Sequence, residues 1–247
     1  MKVKIICFIL SISVLVTYGG IAEAVEVIKE ADIERNRIDF NKIDEKINTQ
    51  NNITNIENNY DTKDLEVNSK ITYNSITGET TAKAKLNDSY NNNINKSYNI
   101  NFIDIIDENN FIAEFIDIDT GEKIIYNSNE LRGAIAPIIP IIIGILAKQG
   151  LKTAIKKYGK SAVTNAIKSN PKAAFNAANR LGYSPTNYIS QGKRVFKKNG
   201  KGHPKYITVD RTNHNGGAWK GASSVRKLGA KKTRSGTYDV NLKRIGD

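Results

Sequence analysis

KRVFKKNGKGHPKYITVDRTNHNGGAWK, residues 193–220, sets the character of the C-terminal half of this chain. Residues 193–198 read as a strand around Val195 and Phe196. Asn199-Gly200 marks a tight turn, since both residue types accept the positive φ that hairpins demand, and residues 205–209 form the returning strand. A polar, glycine-rich run follows, ending at Gly216-Gly217 before Trp219. With short strands and many turns, residues 183–247 read as a small, basic, β-rich domain.

Charge sharpens that reading. Residues 148–247 hold 23 Lys and Arg against three acids (Asp210, Asp239 and Asp247), a net +20. Residues 1–147 hold 14 against 22, a net −8. Few of those cations can be paired internally, so the basic half is expected to meet a polyanion. The split also raises the expectation that the acidic half restrains the basic half before release.

Upstream, residues 148–182 form a basic helical region. Leu146, Ile155, Ala162, Val163, Ala166 and Ile167 supply apolar positions, with Lys152, Lys156, Lys157, Lys160 and Lys168 between them. Pro171 opens a second helix and Gly182 closes it. The Ala-rich faces read as packing surfaces; a membrane-surface helix is the competing reading. Residues 131–147 are an apolar connector. Within it, residues 133–147 carry no charge but are broken by Pro137 and Pro140, and they fall short of the roughly 20 residues of a membrane span. Three readings compete for it: a buried connector, a segment making transient membrane contact during delivery, and an anchor.

Residues 67–130 alternate between apolar and polar: 71–76, 80–86, 98–105, 111–118 and 124–126, separated by turns at Gly78, 108–110 and 119–122. This predicts an antiparallel meander of four or five strands, a spacer or docking module. Residues 25–66 are read as an Asn-rich, partly helical linker. Residues 1–24 have the form of a signal peptide: Lys2 and Lys4, an apolar run over 5–16, and Ala22-Glu23-Ala24. Cleavage after Ala24 removes Cys7, the only cysteine, leaving no disulfide, thiol nucleophile or Cys-based metal site. The protein is expected to be secreted or held at the cell surface. The fold class is α+β: an N-terminal antiparallel β meander, a basic helical connector, and a small β-rich C-terminal domain with nuclease chemistry.

That chemistry is read from Asp210, His214 and Lys220. RNA can be cleaved without metal or cofactor because its 2′-hydroxyl attacks the adjacent phosphorus. A histidine beside a carboxylate relays protons, and a positioned lysine stabilises the phosphorane. Gly216 and Gly217 let backbone N–H groups approach a phosphate. Lys205, Arg211, Thr212, Lys231, Lys232 and Arg234 are candidate RNA contacts, and Trp219 either stacks on a base or fills the core. Arg226, Lys227, Lys231, Lys232 and Arg234 can equally be a solvated face, and His203 is either incidental or a second proton carrier. A metal-dependent deoxyribonuclease of the HNH type would need more His ligands than the two present. Composition and charge also suit a membrane-active protein or a non-catalytic, secreted nucleic-acid-binding protein.

From about Leu181 to Asp247, and more loosely from Gly150, the sequence resembles the novel toxin 21 domain of bacterial polymorphic toxins. The matching stretches are Asn187-Tyr188, Gly192 with Val195-Phe196-Lys197, Tyr206-Ile207 with Asp210, and His214-Asn215-Gly216-Gly217 with Trp219-Lys220. Leu228-Gly229, Lys232-Thr233-Arg234, Gly236-Thr237-Tyr238-Asp239, Asn241-Leu242 and Arg244-Ile245-Gly246-Asp247 complete them. The resemblance implies a metal-independent endoribonuclease related to colicin-type nucleases that cut 16S ribosomal RNA in the target-cell cytoplasm, and a cognate immunity protein, expected to be acidic. The family's cluster has an Asp, a second Asp two residues on, a His and a downstream Lys. Asp210, His214 and Lys220 match, while Thr212 replaces the second Asp and cannot serve as a carboxylate base. Either Asp210 or His214 is then the general base, the other orienting it or acting as acid. The acidic front half is similar to the leader of a putative toxin family in Gram-positive bacteria.

Overall fold

The computed structural model describes residues 26–29, 38–129, 138–212 and 216–246. The signal-peptide reading, Arg132, the 133–137 part of the apolar run, and His214 lie outside the described residues.

The front half is one sheet. β2 (Asp44–Gln50), β3 (Ile53–Asp61), β4 (Leu65–Asn74), β5 (Thr80–Asp88), β6 (Asn93–Ile105), β7 (Phe111–Asp117) and β8 (Lys123–Asn127) follow one another as an antiparallel meander. β1 (Glu26–Lys29) adds in parallel to β8 at the far edge. Side chains alternate across the pleat, so one face gathers Ile56, Val67, Ile71, Leu86, Tyr98 and Phe115 while the other faces water. The linker reading of 25–66 is corrected here: residues 44–61 are paired strands, not a partly helical linker. Polar residues hold two of the inward positions, Thr54 and Asn58, and so interrupt the apolar alternation that marks the later strands.

The apolar connector closes this core. α1 (Ile138–Ile145) runs through a π-helical turn (Leu146–Leu151) into α2 (Lys152–Tyr158). Pro140 lies within the described helix, two residues after its first described position. Ile142, Ile143, Leu146, Leu151 and Ile155 are buried against the sheet, and Tyr158 hydrogen-bonds the buried Thr54. At Gly150 a Cβ would collide with Ile71, which is how closely helix and sheet approach. Among the described residues no helix is long and apolar enough to cross a membrane. The boundary drawn between residues 147 and 148 falls inside this helical run, because Leu146, Ala147 and Leu151 belong to the same core.

α3 (Lys160–Ser169) and α4 (Pro171–Arg180) form the layer between the two halves. Asn170 caps α4 and Pro171 takes its first position, while Gly182 follows with φ +75°. The Ala-rich faces are packing surfaces: Ala162, Ala166 and Ala173 join the front core, and Ala174, Ala177 and Ala178 the rear one. A bulge in β6 buries both Phe102 and Ile103 and turns carbonyls toward α4. Asn170 Nδ2 donates to Phe102 O at 3.0 Å and Asn176 Nδ2 to Ile103 O at 3.3 Å. Arg180 clamps the Asp104 carboxylate at 2.5 and 2.6 Å. The acidic β module is therefore docked on the helices that carry the basic half.

The rear half is a six-stranded antiparallel sheet in sequence order: β9 (Tyr183–Ser190), β10 (Lys193–Lys198), β11 (Tyr206–Val209), β12 (Trp219–Ala222), β13 (Gly236–Tyr238) and β14 (Arg244–Gly246). One face packs Phe196, Ile207, Val209, Trp219 and Tyr238 against α4. On the other, α5 (Val225–Leu228) covers Val195 and Ala222 through Leu228.

Asp117 shows how the front sheet holds its turns. The carboxylate is buried, with Oδ1 accepting from Asp119 N and Thr120 N at 2.9 and 3.1 Å, and Oδ2 meeting Lys96 Nζ at 2.6 Å. Burial pushes its pKa up, but the Lys96 and backbone donors outweigh that and hold it below the usual 3.8. The unfolded chain then binds the proton more readily, so this stabilisation is present above about pH 4 and is lost as pH falls through the depressed value. Asp117→Asn is expected to lower stability by about 1–3 kcal/mol at neutral pH. Urea titrations at decreasing pH check this, the gap between parent and variant closing below pH 4.

Candidate active site at the base of the glycine-rich loop

β11 and β12 are joined through residues 210–218. The connection is closed where Asp210 N donates to Ala218 O at 2.8 Å, and Ala218 N in turn donates to Tyr238 O at 2.9 Å. Thr208 lies opposite Lys220, and Lys220 opposite Thr237, in one row across three strands. Asp210 is two residues beyond Thr208, so its side chain falls on the same face as Lys220, on the diagonal.

The two charged groups meet there. Lys220 Nζ lies 2.8 Å from Asp210 Oδ2, at ion-pair distance but without the alignment of a hydrogen bond. Asp210 is fully buried and Lys220 only 7% exposed. Nζ donates to Thr237 Oγ1 at 2.7 Å. Asp210 Oδ1 accepts from Thr212 N at 2.9 Å and Thr212 Oγ1 at 3.0 Å, so the residue standing where the second Asp was expected braces the first. An ammonium has three protons; among the described residues Thr237 takes one and Asp210 draws a second.

Lys168, at the end of α3, belongs to this electrostatic cluster. Burial holds its pKa below the usual lysine value, the Asp210 charge pulls it up, and the Lys220 charge depresses it further. Lys193 Nζ donates to Lys168 O at 3.0 Å, which seats the end of α3 on the start of β10. Neither Lys168 nor Thr237 stands out in the sequence as a site residue; their approach depends on strand register and helix docking.

The remaining candidates divide. Trp219 has no exposed surface and packs edge-to-face on Phe196 at 6.1 Å, so the base-stacking reading is corrected to core. Gly217 is buried where a Cβ would collide with Thr237, so packing requires it, whereas Gly216 is exposed with φ +65° and open space around it. Arg211 is exposed and donates to Gln191 O at 2.9 Å. Gln191 Nε2 reaches Gly229 O at 3.1 Å, bringing the start of the Lys231, Lys232 and Arg234 segment toward the same turn. Lys231 and Lys232 are exposed and Arg234 is half-buried. Lys205 closes the Lys198–Gly200 turn through two carbonyls, at the end of β11 opposite Asp210. His203 is exposed beyond that same far end. Among the described residues no group of three or more His, Cys, Asp or Glu gathers to hold a metal ion.

Fold and site together define an α+β protein whose strongly cationic C-terminal sheet buries a carboxylate–ammonium pair beneath a glycine-rich loop. Residues 176–247 match the family model described as Novel toxin 21, which supports a toxin domain at the C-terminus of a bacterial toxin. No curated protein and no solved structure matches the chain. The match begins inside α4, so Lys168 lies upstream of it.

Proposed function

We propose that the C-terminal domain is the metal-independent endoribonuclease of a secreted toxin, with His214 as general base and Lys220 as the stabiliser of the transition state. The observation that carries this reading is the buried Asp210–Lys220 pair at the closed base of the loop that contains His214. His214 is four residues along the chain from Asp210 and four from Ala218; four residues reach at most about 14 Å, which tethers the imidazole to the site. Asp210 has both oxygens committed and no exposed surface, which favours His214 over Asp210 as the proton acceptor.

In this reading the imidazole takes the proton of a ribose 2′-hydroxyl. The 2′-oxygen bonds to phosphorus, the bond from phosphorus to the 5′-oxygen breaks, and that oxygen leaves with a proton returned by the imidazolium. The products are a 2′,3′-cyclic phosphate and a 5′-hydroxyl. Lys220, Gly216 and the exposed Arg211 face the phosphate charge. The substrate is RNA, ribosomal RNA in a competing cell, and an acidic immunity protein is the expected antidote because it complements the cationic surface.

Burial of the ion pair also suits a purely structural lock in a non-catalytic, secreted RNA-binding protein, and one assay separates the two. The mature chain, incubated with purified ribosomal RNA in EDTA, is expected to give discrete cuts. RNA bound but intact would support the binding protein, and cleavage that EDTA stops would point to a metal-dependent nuclease.

A further inference from the structure

We infer that the cavity between α4 and β10 holds an unpaired nucleobase of the RNA, with Phe175 as its stacking platform; this rests on the ribonuclease reading above. The cavity encloses about 470 Å³. Its walls are apolar, built from Ile167 and Ala174 of the helices, Phe196 and Val209 of the rear sheet, and Ile103 of the front sheet. Lys172, Lys193 and Arg194 also line it, and no acid does. Phe175, the one large apolar side chain of α4, is 40% exposed and lines the cavity.

Flat aromatic bases need this combination. Apolar walls and an aromatic face bind the ring whatever its sequence, and cations at the edge meet the phosphates on either side. An uncharged apolar ligand would need the walls but not the three cations. The cavity reaches the end of β11: Val209 lines it, while Asp210, the next residue, turns to the opposite face of the sheet, where Lys220 meets it. At the same end Arg211 reaches over the Gln191–Gly192 turn, donating to Gln191 O at 2.9 Å. Because Ile103 comes from the β6 bulge, the pocket is complete only when the front module is docked.

The test uses the mature chain and a short RNA with 2′-O-methyl sugars, which 2′-hydroxyl chemistry cannot cut, carrying 2-aminopurine at one position. The parent is expected to bind it and quench the 2-aminopurine. Phe175→Ala should weaken binding on the order of tenfold and restore the fluorescence, while Phe175→Trp should bind as the parent does. An oligonucleotide of the same length and sugar chemistry with abasic residues at every position should not distinguish parent from Phe175→Ala. Equal affinity of parent and Phe175→Ala for the fluorescent probe would overturn the inference. So would binding of poly-glutamate that Phe175→Ala weakens, which would assign the cavity to an acidic protein. Since the probe cannot be cut, the two claims fail separately: intact ribosomal RNA removes the enzyme, and unaltered probe binding removes only the pocket.

Discussion

Alanine at His214 is expected to slow RNA cleavage by roughly two to four orders of magnitude, the usual contribution of a positioned general base, with little change in stability. The loop base is held by backbone bonds, Asp210 N to Ala218 O and Ala218 N to Tyr238 O, and these do not involve the imidazole. RNA affinity should persist, because the Lys and Arg side chains that meet the phosphates are untouched. The parent's rate should rise with pH on an acid limb that the variant lacks. Cleavage kinetics as a function of pH, beside urea melts of both proteins, check it. An unchanged rate would remove His214 from the chemistry.

Substitution of either member of the buried pair should act mainly on stability. Lys220→Ala leaves the fully buried Asp210 carboxylate facing a void, with Thr212 as its side-chain and loop donor among the described residues, and removes the Thr237 hydroxyl's ammonium partner. Removing one partner of a buried ion pair costs about 3–5 kcal/mol, a large part of a small domain's whole stability. Asp210→Ala should cost a similar amount by leaving the ammonium uncompensated near Lys168. The double variant should fall well short of the sum, since each change removes the other's partner. Urea denaturation of the three variants gives the coupling directly. Single losses under about 1 kcal/mol would mean that water reaches the pair, as at an exposed salt bridge.

These two predictions distinguish positioning from catalysis within one cluster. A rate measured on Lys220→Ala mixes a missing cation with a loosened sheet. His214→Ala changes one side chain on a loop whose ends remain fixed.

Much of the fold could be read from the chain. The strands from Leu65 to Asn127 follow from apolar alternation and the start of α4 from Pro171. β10 and β11 pair as expected, but the chain turns over residues 199–204 and not in a tight turn at Asn199-Gly200. β3 was not legible because its inward positions alternate Thr54, Ile56, Asn58 and Tyr60; two polar residues break the pattern, and Thr54 is satisfied by Thr49 on β2 and by Tyr158 of α2. The apolar run after residue 133 left three readings open; packing against the front sheet buries the described part of it as a connector.

The site was legible in composition but not in arrangement. Asp210 and Lys220 stand out as one of three acids in the basic half and a lysine ten residues downstream. Their burial depends on the register that sets Lys220 between Thr208 and Thr237, which no local pattern encodes. Trp219 was ambiguous for the same reason. Adjacent residues on a strand point to opposite faces, so the register that buries Lys220 on one side sends Trp219 into the Phe196 core on the other. Thr212 could be seen to lack a carboxylate; its double hydrogen bond to Asp210 Oδ1 could not be seen.

The most direct measurement is the chemistry of the cut ends. Ribosomal RNA treated with the mature chain in EDTA should carry 2′,3′-cyclic phosphates and 5′-hydroxyls at each cut, and a matched substrate with 2′-deoxyribose at the cleavage position should stay whole. Fragments ending in a 3′-hydroxyl and a 5′-phosphate, or cutting of the deoxy-substituted substrate, would contradict 2′-hydroxyl attack and with it the role assigned to His214.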